Sequence, residues 1–122
     1  SVSLSGTDNL LVQLGDSGGI ETTGYDSVSA PAGLGTGGVV TSTSGFIIQV
    51  AGAARVTHGI MTLVNVTGNV WVASFTGGRT ASSQGGLVAS GTKTLTGTLT
   101  QITVTRTGTD TFDGGQVRML VE

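Results

Sequence analysis

Three carboxylates stand close together early in the chain: Asp16, Glu21 and Asp26. Two carboxyls held about 5–10 Å apart are what glycoside hydrolysis needs, one as acid and one as base or nucleophile. All three lie in loop-prone, glycine-rich sequence, and nothing in their spacing selects a pair. Asp110 and Asp113, with Thr111 between them, present oxygens of the kind Ca²⁺ takes. Their spacing matches no EF-hand loop, and two carboxylates are few. Turn-forming aspartates are the better reading, with Phe112 packing inward between the turns to plug the end of the fold. His58 is the single histidine, so a metal there would need carboxylates from elsewhere. The absence of cysteine removes thiolate sites and disulfides. No catalytic residue, metal or cofactor is expected, and the chain does not read as an enzyme.

Two glycine-rich motifs imitate chemical ones. Gly15-Asp-Ser-Gly-Gly19 copies the surroundings of the nucleophile in trypsin-like serine proteases, where a His takes the Ser proton and a buried Asp orients the His. Here Ser17 comes early, His58 follows it instead of preceding it, and Ile20 stands where a Pro is usual; a turn of Gly, Asp and Ser is the simpler reading. Gly33-Leu-Gly-Thr-Gly-Gly38 satisfies the G-x-G-x-x-G pattern. A dinucleotide fingerprint must follow a strand and open a helix. This one follows a Pro-containing segment and leads into Val39-Val-Thr41, so it reads as a loop. Asn65-Val-Thr67 is a glycosylation sequon that matters only in a secretory pathway.

The elements that would carry these residues are strands. Val, Leu, Ile and Thr recur with a period of two, which is the signature of half-buried β-structure. Val2 with Leu4, then Leu10, Val12 and Leu14, open the chain as strands. Phe46-Ile-Ile48 is a continuous apolar run, as in a strand covered on both sides. Ile60, Thr62, Val64 and Val66 share one face of a long strand that turns at Thr67-Gly-Asn69. Trp71, Ala73 and Phe75 alternate on the return and read as core. In the closing stretch, Leu95 and Leu99 fall on odd positions, Ile102 and Val104 on even ones. That change of parity means a β-bulge near Thr100-Gln101, or one strand ending and another starting. A last strand is expected with Val117, Met119 and Val121 on one face. About eight to ten short strands and no helix longer than two turns predict an all-β fold: a single antiparallel β-sandwich domain over 1–122, jelly-roll-like.

Composition bounds the function. Only 10% of residues are charged, 4% are aromatic and 22 are Gly, with a net charge of −2. Mean hydropathy is +0.29, so the chain is not a disordered polar tract. The five basic residues are dispersed, which excludes the electrostatic footprint of nucleic-acid binding. No apolar run approaches membrane-spanning length. A surface poor in charge has little to keep strand edges from pairing with other chains. The expectation is therefore a subunit that completes its burial by assembling, as a homotrimer. Residues 26–38 and 77–86 read as the longest surface loops, giving Tyr25, Asp26, Leu34, Arg79 and Gln84 as candidate recognition residues. Tyr25 is the aromatic free to stack on a sugar face.

Three segments taken together carry a resemblance: Leu11-Val-Gln-Leu-Gly-Asp-Ser-Gly-Gly-Ile-Glu-Thr-Thr-Gly-Tyr25, His58-Gly-Ile-Met-Thr-Leu-Val-Asn-Val-Thr-Gly-Asn-Val-Trp-Val-Ala-Ser74, and Leu95-Thr-Gly-Thr-Leu-Thr-Gln-Ile-Thr-Val-Thr-Arg-Thr-Gly-Thr-Asp-Thr-Phe-Asp-Gly-Gly115. Their order is similar to a small β-structured module in virion proteins of tailed bacteriophages. The module usually ends with an aromatic near its last residue, and Leu120-Val-Glu122 departs from that. The resemblance implies a virion structural component on the particle exterior, made in the host cytoplasm. The role expected from it is that of a capsid decoration protein bridging major capsid subunits, or alternatively that of a tail-fibre or spike tip that binds a host glycan or receptor. The chain shows no coiled coil, shaft repeat or separate anchoring domain, which favours decoration.

Overall fold

The computed structural model describes residues 1–33, 38–50, 52–80 and 85–122. Among them are eleven strands and no helix: β1 (Val2–Leu4), β2 (Leu10–Asp16), β3 (Gly19–Ile20), β4 (Tyr25–Ala32), β5 (Val40–Ser42), β6 (Phe46–Ile48), β7 (Val56–Thr67), β8 (Val70–Arg79), β9 (Gly85–Thr94), β10 (Gln101–Arg106) and β11 (Phe112–Gly115). They form a seven-stranded sheet ordered β11-β1-β7-β8-β9-β4-β5 and a four-stranded sheet in which β2 pairs with β10, β3 and β6. Every pairing is antiparallel. The all-β, sandwich-like fold expected from the periodicity is the fold observed.

The large sheet is built on the meander β7-β8-β9. Gly68 at φ 50° and Asn69 make the tight turn between β7 and β8, and the Asn65 amide holds it by donating to the Gly68 carbonyl at 2.8 Å. Val66 is an extra residue between the pairs Asn65–Trp71 and Thr67–Val70, a β-bulge. Below it, Met61 faces Phe75 and Leu63 faces Ala73, and these side chains point to the small sheet. The tip of the Phe75 ring reaches over the glycine pair Gly59–Gly77: a Cβ on either glycine would come within 2.5 or 2.7 Å of its Cζ. Leaving those positions bare is what lets the ring bury.

The two sheets enclose Leu4, Leu14, Tyr25, Phe46, Val50, Phe75 and Leu87, all buried, with Trp71 packed against them. Burying one such side chain stabilises the fold by roughly 1.5–3 kcal/mol. The sheets are fastened together along one flank. β6 pairs with β2 on one side, and its other side turns to β4. There the amides of Ile47 and Gln49 donate to the hydroxyls of Ser27 (2.9 Å) and Ser29 (3.1 Å), both buried. The opposite flank is open. A groove of about 790 Å³ enters between the sheets there, with Leu10, Val12 and Val104 on one wall and Met61, Leu63 and Phe75 on the other.

Several sequence expectations are corrected. The loop placed at residues 26–38 is strand as far as Ala32, because Ser27 and Ser29 spend their hydroxyls on β6 where an apolar side chain would otherwise mark the inner face. Pro31 fits there because β5 pairs only with Ser27–Ser29, leaving the outer side of Pro31 without a ladder partner. Residues 77–79 extend β8 and residues 85 and 86 begin β9, so the expected loop over 77–86 is shorter. The parity break after Leu99 reflects a strand that ends at Thr94 and a new one that starts at Gln101. Leu95 is nevertheless buried. Phe112 is 44% exposed and plugs nothing. Residues 117–122 form no strand and stand exposed.

Candidate functional site

The outer face of the large sheet is the most distinctive surface. Once Met61, Leu63, Ala73, Phe75 and Leu87 face inward, their neighbours must face out. On β7 these are Ile60, Thr62, Val64 and Val66; on β8, Val72, Ser74 and Thr76; on β9, Val88, Ser90 and Thr92; on β4, Asp26 and Val28. Register sets them in rows: Val64–Val72–Thr92–Asp26, Thr62–Ser74–Ser90–Val28, and Ile60–Thr76–Val88. Across these rows Asp26 is the single charged side chain. Ile60 is 76% exposed, and Val66 60%. Chemically this face can dock a neighbouring surface through close packing and hydroxyl hydrogen bonds. It offers no cluster of acids, bases or nucleophiles.

Asp16 and Glu21 do converge, on Thr96. The Thr96 hydroxyl lies 2.8 Å from Asp16 Oδ2 and 2.6 Å from Glu21 Oε1, and the Thr96 amide also donates to Glu21 Oε1 at 2.8 Å. The other Glu21 oxygen is ion-paired with Lys93 at 2.5 Å. The hydrogen bond from Lys93, then those from Thr96, hold the Glu21 carboxyl down to about 2. A carboxylate so committed is a poor proton donor near neutral pH. Lys93 also donates to the Thr23 carbonyl at 2.9 Å, and its ammonium sits 5.1 Å from the Tyr25 ring centroid. The cluster reads as a partly buried strut joining β9 to the segment after β3. Asp26 is not part of it and lies on the outer sheet face.

Ser17 occupies the exposed turn between β2 and β3, where the Gly18 amide donates to Asp16 Oδ1 at 2.8 Å. His58 lies on β7 in the other sheet, beside Gly78. The Gly-Asp-Ser-Gly-Gly motif is thus a turn in which the Asp serves the backbone. At the other end of the molecule, Asp113 accepts from the Ser3 hydroxyl at 2.5 Å. Asp110 accepts from the Asp8 amide, and Asp8 from the Asp110 amide. Among the described residues no group of three or more His, Cys, Asp or Glu is arranged to hold a metal ion.

Of the expected recognition residues, Leu34 and Gln84 lie outside the described residues, as does the centre of the Gly33–Gly38 motif. Tyr25 is 3% exposed. Its ring packs edge-on against Phe46, centroids 5.2 Å apart, and its hydroxyl accepts from the Leu14 amide at 2.7 Å while donating to the Glu21 carbonyl at 2.9 Å. That ring cannot stack on a sugar. Burial raises its pKa above the ordinary tyrosine value. Arg79 is also buried, at the end of β8 opposite Thr57 and Gly85, and loss of hydration lowers its pKa, with Arg55 adding to the effect. Asp26 alone of the described three is presented to solvent. The strand ends that flank residues 34–37 and 81–84 are neighbours: β9 places Gly86 against Ala32 and Gly85 against Arg79.

The outer face escaped sequence reasoning because the periodicity puts Ile60, Thr62, Val64 and Val66 on one face of a strand without saying which side of the sheet that face takes. The partner strand carries half of the signal. With Trp71, Ala73 and Phe75 taken as core, the residues opposite them must be core too, and the bulge decides which those are. Comparison with protein-family models, curated proteins and solved structures finds no match to this chain.

Proposed function

We propose that this protein is a structural subunit of a tailed-bacteriophage particle, a capsid decoration protein that holds neighbouring major capsid subunits together. The observation that carries the reading is the broad outer face of β7-β8-β9-β4, where Ile60, Val64, Val72, Val88 and Val28 alternate with Ser and Thr and the single charge is Asp26. A sheet face this apolar and this poor in charge invites a partner. Covering it with a neighbouring subunit stabilises both. Many weak contacts over a stiff sheet suit a cementing role, and the phage-module resemblance of the sequence points the same way. In this reading the chain performs no reaction and uses no cofactor; its partners are copies of itself in a trimer and the major capsid protein.

The test is saturable binding of the purified protein to undecorated capsid shells, with copy number counted by quantitative mass spectrometry of intact particles. Stoichiometric occupancy of the shell is expected, lost in the Ile60→Lys/Val72→Lys variant while the fold is kept. Trace copies in particles would overturn the reading. A second reading, a fibre or spike tip that binds a host glycan, is favoured by one observation: the strand ends flanking residues 34–37 and 81–84 are neighbours. Inhibition of phage adsorption by the free protein distinguishes it.

A further inference from the structure

Residues 117–122 and the open flank are two halves of one contact. We infer that this segment of one copy seats in the groove of a second copy, so that the protein assembles by exchanging arms. The proposal does not depend on the virion reading.

The segment leaves the fold at Gln116, which is anchored to Ser1: the Gln116 amide donates to the Ser1 carbonyl at 2.6 Å and the Ser1 amine to the Gln116 carbonyl at 3.0 Å. Beyond Gln116, no residue makes a hydrogen bond with the described chain. Yet four of the six side chains are large and apolar, and they are exposed: Val117 61%, Met119 67%, Leu120 83% and Val121 79%. Val117, Met119 and Val121 share a face if the segment is extended. An isolated segment of this composition gains nothing by standing in water.

The groove is its complement. It is large enough, at about 790 Å³, to take several side chains, and it is walled by β2, β7 and β10, with Ser1, Val2 and residues 115–119 at its mouth. β10 is bonded only to β2, so its other edge carries unpaired amides and carbonyls next to the groove. An arriving strand can extend the small sheet there while its apolar face enters the groove. The occupant is the arm of a second copy and not the chain's own. Gln116, Val117, Arg118 and Met119 of the chain's own arm line the mouth of the groove, yet Val117 and Met119 stay 61% and 67% exposed, so the arm borders its own groove without filling it. Root and groove lie on one side of the molecule, so one patch both gives and receives. That is the condition for a closed, symmetric exchange. Six extended residues reach about 20 Å, enough to cross to a facing copy.

The chain has no cysteine, so introduced thiols are unambiguous. In the Ile102→Cys/Met119→Cys variant, mild oxidation should give covalent oligomers on non-reducing gels, with a 102–119 link between chains established by mass spectrometry of mixed isotope-labelled and unlabelled protein. Separately, light scattering at micromolar concentration should show the full chain as an oligomer and the Val117→Asp/Met119→Asp variant as a monomer of unchanged circular dichroism. A 102–119 link formed only within single chains would show the arm closing on its own groove and overturn the proposal. A full-length chain that is monomeric, or an oligomer that survives both aspartates, would overturn it as well.

Discussion

The carboxylate of Asp110 accepts the backbone amide of Asp8 at 2.8 Å, and the carboxylate of Asp8 accepts that of Asp110 at 2.9 Å. Each Asp ends a Gly-Thr-Asp triplet, Gly6-Thr-Asp8 and Gly108-Thr-Asp110, and each carboxylate lies over the other triplet's glycine. A Cβ at Gly108 would come within 2.4 Å of Asp8 Oδ1, and one at Gly6 within 2.3 Å of Asp110 Oδ1. The pair is a reciprocal clasp between segments 102 residues apart in sequence.

Asp8→Ala and Asp110→Ala should each cost about 1–3 kcal/mol of stability, because each leaves a half-buried amide without its charged acceptor. The double variant should cost much less than the sum, since the clasp acts as one unit. Urea denaturation of the four proteins checks this; strict additivity would mean that the two hydrogen bonds are independent.

Acid should loosen the strut between Glu21 and Lys93. The Glu21 carboxyl is held at about 2 in the fold against an ordinary value of 4.5, so the folded state binds fewer protons than the unfolded one between those values. Its contribution is complete above about pH 4.5 and is lost as pH falls toward 2. Glu21→Gln should therefore be less stable than the parent at pH 7, by about 1–3 kcal/mol for a hydrogen bond to a charged group, and the gap should close near pH 2. Denaturation midpoints of both proteins at pH 7, 4 and 2.5 measure the closing. A gap that stays constant would locate the acid sensitivity elsewhere.

Tyr25 is the only tyrosine, so its ultraviolet titration is free of overlap. Burial raises its pKa, and the stability tied to its protonated form is lost as pH rises above the ordinary value near 10. The phenolate band should appear late and together with unfolding. Tyr25→Phe should abolish the band and cost about 1–3 kcal/mol at pH 7, because the Leu14 amide loses its acceptor inside the core. A normal titration in the folded state would mean that the ring is exposed.

What the sequence revealed, and what it hid, turns on where inner faces are made of unexpected residues. The meander, the Thr67-Gly-Asn69 turn and the core positions of Trp71, Ala73 and Phe75 were legible because period two and a turn signal coincide there. The side of β7 was not. A simple turn after Thr67 would pair residues whose numbers sum to 137, as Thr67 and Val70 do, and would set Val64 against Ala73 on the inner face. The bulge at Val66 changes that sum to 136, putting Leu63 opposite Ala73 and sending Ile60 and Val64 outward. One unpaired residue inverts the whole strand, and no local residue preference announces it. β4 was hidden for the opposite reason. Its inner face carries Ser27 and Ser29, whose value appears only when the amides of Ile47 and Gln49 arrive from elsewhere in the chain. The Asp16–Glu21 convergence needed Thr96, which lies 75 residues from Glu21.

The bare pair Gly59–Gly77 makes a further prediction. Gly77→Ala should cost about 1–3 kcal/mol, since its Cβ would meet the Phe75 ring and the His58 carbonyl and something must move. Pairing it with Phe75→Leu should recover part of the loss, because the ring contact is gone while the carbonyl contact remains. Thermal unfolding of the single and double variants reads the coupling. No recovery would place the whole penalty on the backbone contact.

The serine-to-amide bonds of Ser27 and Ser29 have a mechanical meaning. They bind the two sheets along the β4–β6 flank, as the pages of a book are bound. The far edges are tied at one corner, where β1 runs on into β2 and β10 into β11, with the Asp8–Asp110 clasp between the two crossings. Covers held at the spine and at a corner cannot swing freely, so the fold itself sets the gap between the sheets before anything enters it.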